Sequence, residues 1–147
     1  MLAASPTPHS RLIDQAAREV LSPLHIFQKG RSRVWIDDHR WWLTNIEFQP
    51  SSWSKGSYLN VGALWLWSEH DYLSFDVGSR VEELVTYESE IQFAPEARRL
   101  ALAARRQVVK FRKQFPSITA AARFLSTQAS DTDERGGCFM PASRSGA

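Results

Sequence analysis

The sequence predicts an α+β fold: an antiparallel sheet of three to five strands, with an N-terminal helix and a long C-terminal helix packed on one face. Three observations predict it. Apolar residues recur at helical spacing near the N-terminus. Two runs rich in aromatic and β-branched residues flank a Pro/Ser/Gly loop in the middle. A long Arg-rich amphipathic stretch follows them. At 147 residues the chain has the size of one ordinary domain. A core of that size buries about two-thirds of the unfolded surface.

The first helix is read from RLIDQAAREVLSPL at 11–24. Leu12, Ala16, Val20 and Leu24 recur every fourth residue, with Ile13 and Ala17 beside them. Ser10 is the expected N-cap, because its hydroxyl can accept from a first-turn N–H. Pro23 is the expected stop. Residues 1–9, with Pro6 and Pro8, read as a flexible lead-in.

The middle of the chain reads as strands. RVWID at 33–37 is a short one. WWLTNIEFQ at 41–49 and SYLNVGALWLW at 57–67 are joined by the loop PSSWSKG at 50–56, which predicts an antiparallel hairpin. YLSFDV at 72–77 predicts the next strand. VEELVTYE at 81–88 suits a strand or a helix. PEARRLALAARRQVVKFRKQF at 95–115 predicts the long helix, with Pro95 in its first turn and Pro116 ending it. TAAARFLSTQ at 119–128 predicts a short helix capped by Ser117 or Thr119. From Ala129 the periodicity fails, so the expected domain runs over 10–128 and a disordered tail over 129–147.

Composition narrows the function classes. A net charge of +2 argues against a dedicated nucleic-acid coating protein, though not against a local basic patch. The single Cys138 cannot form an internal disulfide. No run approaches the roughly 20 apolar residues of a membrane span, and the first residues lack a secretory signal, so a cytoplasmic location is expected. Asp37, Asp38 and His39 are adjacent, as are Glu69, His70 and Asp71. Both groups read as polar turns, since neither has the helical spacing of a zinc motif. GxSxG, GxGxxG and phosphate-loop patterns are absent from the sequence, and no cofactor or metal is expected.

Alternation divides the hairpin into two faces. Trp42, Thr44, Ile46 and Phe48 join Leu59, Val61, Ala63 and Trp65 on the core side. Asn45, Glu47, Gln49, Tyr58 and Asn60 share the other, with Gly62 leaving room beside them. A carboxylate flanked by amides and a phenol could hold a polar ligand or act as a general base. A solvent-facing sheet surface has the same pattern. Trp53 and Lys55, in the loop, suit an interaction anchor, since exposed Trp is common at binding hot spots. Charge is segregated too. Residues 69–90 hold seven acids against Arg80 alone, which makes Arg80 an expected ion-pair partner. Residues 96–113 hold seven bases against Glu96. Arg98, Arg105 and Arg112 fall near one line of the helix. Arg99, Arg106 and Lys113 fall near the next. Such a ridge could bind phosphate backbones, and the acidic segment could cap a basic partner; alternatively the two segments face each other or are two solvated faces.

The stretch WWLTNIEFQPSSWSKGSYLNVG at 41–62 resembles a family of small bacterial domains of unknown function. In these, an N-terminal helix precedes a strand ending in Gln, a Ser/Trp loop and a strand carrying Asn-x-Gly. Here those residues are Gln49, Ser51, Ser52, Trp53, Asn60 and Gly62. The resemblance covers about residues 10–115 and implies an α+β fold, with no activity attached. The expected function is that of a non-catalytic bacterial binding or accessory protein acting through protein contacts. A ligand or enzyme site around Glu47, and nucleic-acid binding through the Arg-rich helix, are the alternatives.

Overall fold

The computed structural model describes residues 7–66 and 77–136. These fall into two compact units, one ending at Phe111 and the next beginning at Arg112. The sequence pattern predicts a domain over 10–128, a range that spans both units. The second unit has local packing of its own, with Phe115 and Phe124 in edge contact at 5.2 Å.

The first unit is α+β, as the periodicities predict. Helix α1 (Pro8–Leu21) leads through a short 3₁₀ turn (Ser22–Leu24) to five strands: β1 (Phe27–Gln28), β2 (Val34–Asp38), β3 (Trp42–Pro50), β4 (Gly56–Trp65) and β5 (Val77–Thr86). Helix α2 (Glu90–Gln114) follows. The sheet is antiparallel throughout, and its spatial order is the chain order.

Two boundaries differ from expectation. Helix α1 starts at Pro8, inside the expected lead-in, with Thr7 as N-cap. The Thr7 hydroxyl accepts from the Ser10 N–H at 3.3 Å, so Ser10 is the capped residue and not the cap. Pro8 supplies a preset φ and lacks an N–H that would be unpaired there anyway. Helix α2 starts at Glu90, so Pro95 lies inside it. The Ser89 hydroxyl accepts from Gln92 N–H at 3.1 Å, and Gln92 Oε1 accepts from Glu88 N–H at 2.9 Å. This reciprocal cap fixes the start. The carbonyl that Pro95 leaves without its helical donor belongs to Ile91, which is exposed and can be hydrated.

The hairpin register is the one that alternation demands. Trp42 faces Trp65, Thr44 faces Ala63, Ile46 faces Val61 and Phe48 faces Leu59. All eight are buried. The indoles of Trp41, Trp42 and Trp65 cluster with centroids 5.9 to 6.3 Å apart. Helix α2 contributes Phe93, Leu100, Ala104, Val108 and Phe111 to the core, and α1 contributes Ile13, Ala17 and Leu21. The two helices run parallel. Arg11 meets Glu90 at 3.5 Å, and Glu19 meets Arg98 at 3.6 Å, so the contacts advance together from 11 to 19 and from 90 to 98.

Of VEELVTYE at 81–88, residues 81–86 resolve as a strand, the second part of β5. Of the strand expected at 72–77, only Val77 lies among the described residues, and there it begins β5. The pairing of β5 with β4 slips twice. Leu59 faces Glu82, but its neighbour Asn60 faces Arg80, and Ser57 faces Val85. Each slip places one extra residue on β5. Glu82 therefore lies on the helix side, within 3.1 Å of Arg99, while Arg80 lies on the opposite face.

In the second unit, helix α3 runs Ile118–Gly136, capped by the Ser117 hydroxyl on Ala120 N–H at 3.2 Å. It continues past Ala129, where a disordered tail is expected from the sequence. The reason is local: no proline or glycine interrupts 118–135, and hydroxyls are absorbed by donating back to the helix, Ser126 to the Ala122 carbonyl and Thr127 to that of Arg123. Residues 137–147, with Cys138, lie outside the described residues.

Candidate functional site

The five expected ligand residues do share one face of the sheet. Asn45 faces Gly62, Glu47 faces Asn60 and Gln49 faces Tyr58. The structure adds Arg80, which the charge pattern marks only as an ion-pair partner. Its guanidinium lies 4.0 Å from the centre of the Tyr58 ring. It donates from Nη2 to Gln49 Oε1 at 3.1 Å and from Nε to Asn60 Oδ1 at 3.3 Å. Asn60 Nδ2 donates to the same Gln49 oxygen at 2.8 Å, and Glu83 sits 3.8 Å away as a loose counter-ion. Gln49 Oε1 is thus shared by Arg80 and Asn60, and both ends of the Asn60 amide are used. Cation–π contact and shared amides rigidify three strands at once. Asn45 is buried, and its Oδ1 has no hydrogen-bond partner among the described residues. Glu47, half-buried next to this network, makes no hydrogen bond or ion pair among them either.

Trp53 lies at the tip of the β3–β4 loop and is 91% exposed. It does not fold back as a lid. The Ser51 hydroxyl accepts from the N–H groups of Trp53 and Ser54 at 3.1 and 3.3 Å, which holds the tip in a tight turn. Lys55 is exposed beside it, and its carbonyl accepts from Tyr87 N–H at 2.9 Å. That bond brings the β5–α2 connection to the same end of the sheet. Ile91, at the start of α2, is 90% exposed there. Apolar periodicity does not single out Ile91. The Ser-x-x-Gln cap at 89–92 is the signal that reveals it, since it places Ile91 in the first turn.

The expected basic ridge is divided. Arg98 is paired with Glu19, and Arg99 with both Glu96, at 2.8 Å, and Glu82. Arg112 belongs to the second unit and also has a partner. Arg105, Arg106 and Lys113 are exposed. The acidic segment therefore meets the basic one at Glu82, while Glu69, Asp71 and Asp76 lie outside the described residues.

Two further polar clusters are built around buried side chains. Asp37 is buried on the core side, and its Oδ2 lies 2.6 Å from His39 Nε2. The His39 ring stacks on Trp42 at 4.3 Å. Alternation hints at this arrangement, since Asp37 shares a face with Trp35. Asp38 behaves as the polar-turn residue expected, accepting from Arg40 N–H at 2.8 Å. Among the described residues, no group of three His, Cys, Asp or Glu could hold a metal. No described helix is long and apolar enough to cross a membrane.

The second cluster lies under the start of α1. His9 is buried 5.5 Å from the Tyr87 ring and 6.4 Å, edge-on, from Phe93. Arg33 Nη2 donates to the Ser10 hydroxyl. Burial, with help from the charges of Arg33 and Lys55, holds the His9 imidazole below its ordinary value of 6.5. The folded ring therefore takes a proton less readily than the unfolded one. Its contribution to stability is complete above 6.5 and is lost as pH falls through the depressed folded value. His9→Phe keeps the ring packing and removes the titration. Between about pH 7 and pH 5, the urea midpoint should then fall less for the variant than for the wild type. Equal losses would show that His9 contributes nothing to the acid sensitivity.

Comparisons with protein-family models, curated proteins and solved structures find no significant match. The resemblance noted at 41–62 rests on the residues that carry it.

Proposed function

We propose that the chain is a non-catalytic binding protein that acts through protein contacts, made at the end of the sheet that presents Trp53. The observation that carries this reading is Trp53 itself. A large indole stands 91% exposed on a turn held by Ser51, with Ile91 90% exposed at the same end of the fold. Leaving such surface in water is unfavourable by about 25 cal/mol per Å², and binding a partner relieves it. Aromatic anchors of this kind dominate the energy of many interfaces.

The polar sheet face supports the alternative less well. Arg80 and Asn60 both occupy the Gln49 Oε1 acceptor and Arg80 covers the Tyr58 ring, so a ligand there would have to displace internal bonds. A nucleic-acid track on α2 is weakened by the acids that occupy Arg98 and Arg99.

The test is affinity capture from cells that make the protein, with Trp53→Ala beside the wild type. A specific partner should be recovered by the wild type and lost by the variant, its affinity reduced by at least about 30-fold, as for a hot-spot residue of ~2 kcal/mol. The variant should melt at the wild-type temperature, because the Trp53 side chain is almost wholly in solvent. No reproducible partner, or one held equally by Trp53→Ala, would reject the reading.

A further inference from the structure

Two turns of the sheet come to the end that carries Trp53. Val34 pairs with Glu47, near the end of β3, so the β1–β2 turn at 29–33 lies at the same end as the loop at 51–55. KGRSR at 29–33 and PSSWSKG at 50–56 together hold four bases, Lys29, Arg31, Arg33 and Lys55, and no acid. The first of these turns is tight. Gly30 takes φ +60°, and the Ser32 hydroxyl donates to the Lys29 carbonyl at 2.6 Å. Lys29, Arg31 and Lys55 are exposed.

These cations differ from the arginines of the helices. Arg11, Arg98 and Arg99 are held by Glu90, Glu19 and Glu96, the last also by Glu82. Lys29, Arg31 and Lys55 form no ion pair among the described residues. Arg33 is half-buried and reaches Ser10 with Nη2, while its Nη1 has no hydrogen-bond partner among them. Asp14 attracts it from α1 without closing to an ion pair. Burial first, and then the charges of Arg33 and Lys55, depress the His9 pKa, so both turns direct positive charge at one point. Helix α1 starts at this corner, and its first turn holds no acid to offset the positive end of its dipole.

We propose that the partner docking at Trp53 is a protein with an acidic face, which sets carboxylates over Lys29, Arg31 and Lys55 and an apolar contact over the indole. This rests on the reading of Trp53 as the contact residue and adds the chemistry of what it meets. Opposite charges across an interface speed encounter and select the partner. A nucleic-acid strand has the same sign as an acidic protein. It fits less well, because Ile91 gives a base nothing to stack on and the flanking Glu88 and Glu90 repel a phosphate chain.

Fluorescence anisotropy with three labelled twelve-residue peptides, titrated with the full chain, tests the proposal. All three carry the same Leu and Phe residues, spaced by Glu in one, Ser in the second and Lys in the third. The Glu peptide should bind at least ~10-fold more tightly than the Ser peptide, the product of three surface contacts worth about two- to threefold each. The Lys peptide should bind worst. Lys29→Glu/Arg31→Glu/Lys55→Glu should reverse this order. Its circular-dichroism melt should match the wild type, because the three side chains are exposed and Arg33, which holds Ser10, stays in place. Trp53→Ala should weaken all three peptides alike. If the three bind equally and Trp53→Ala loses them all, the acidic partner is rejected and the Trp53 contact stands. If the charge order holds and Trp53→Ala changes nothing, the Trp53 reading fails instead. The proposal is overturned if no peptide binds, if the order survives the charge reversal, or if oligothymidylate or phosphatidylserine vesicles displace the Glu peptide.

Discussion

Gly78→Ala is expected to cost about 3 kcal/mol or more, a large part of the roughly 5–15 kcal/mol that holds a domain together. Gly78 has φ +124°, in a region that L side chains rarely adopt. It also faces Gly62 directly across the β4–β5 ladder. A Cβ there would fall 2.4 Å from the Gly62 Cα and 2.4 Å from the Val61 carbonyl oxygen. Both are backbone atoms, so no side chain can swing aside and the strands themselves must part. Backbone strain of about 1–3 kcal/mol adds to overpacking of similar size. Gly30→Ala separates the two terms. Gly30 has φ +60° but nothing within 4 Å of its added Cβ, so only a conformational cost of about 1–2 kcal/mol is expected. Urea denaturation of both variants measures the difference. Equal losses would mean that β4 and β5 leave room for a methyl group between Gly62 and Gly78.

Phe93→Ala should be about as damaging, at about 3–5 kcal/mol. Phe93 is fully buried in the first turns of α2, edge-on to Tyr87 at 5.4 Å and close to His9. It joins three elements: the start of α2, the end of β5 and the start of α1. The reciprocal cap of Ser89 and Gln92 sets its orientation, and Gln92 Nε2 also donates to the Thr86 carbonyl at 3.1 Å. Ile91, two positions earlier, points to water. Ile91→Ala should change stability by no more than about 0.5 kcal/mol. Chemical denaturation of the two variants compares them, and equal costs would mean that α2 does not turn Phe93 to the core and Ile91 to solvent.

How much of this was legible in the sequence depends on parity. The β3–β4 hairpin was readable residue by residue, because a single slip would have exposed Trp42, Ile46 and Phe48 together. The polar row Asn45, Glu47, Gln49, Tyr58, Asn60 followed from the same alternation. The partner of that row did not. Two extra residues in β5 break its period, so Arg80 and Glu82, which simple alternation puts on one face, lie on opposite faces. No local signal marks those slips. The start of α2 is easily misread because Pro95 is a strong first-turn signal, although Ser89 and Gln92 carry a better one. The basic ridge looks continuous in sequence because Glu19 is distant. Only the parallel docking of α1 brings it to Arg98. Exposure of Trp53 was equally open, since loop composition does not say whether an indole turns inward.

The slipped ladder of β5 also bears on how the molecule avoids its own kind. Among the described strands β5 is an edge, and ten residues of open backbone would be a template for stacking chain upon chain. With two extra residues, its outward N–H and C=O groups cannot keep step with a straight incoming strand. Arg80, Glu82 and Glu83 add charge that any such neighbour would have to desolvate. At the other edge, β1 offers two residues, too few to seed growth. Among the described strands, both edges are therefore poor templates for a straight incoming strand, at the same time as the tip displays an uncovered indole.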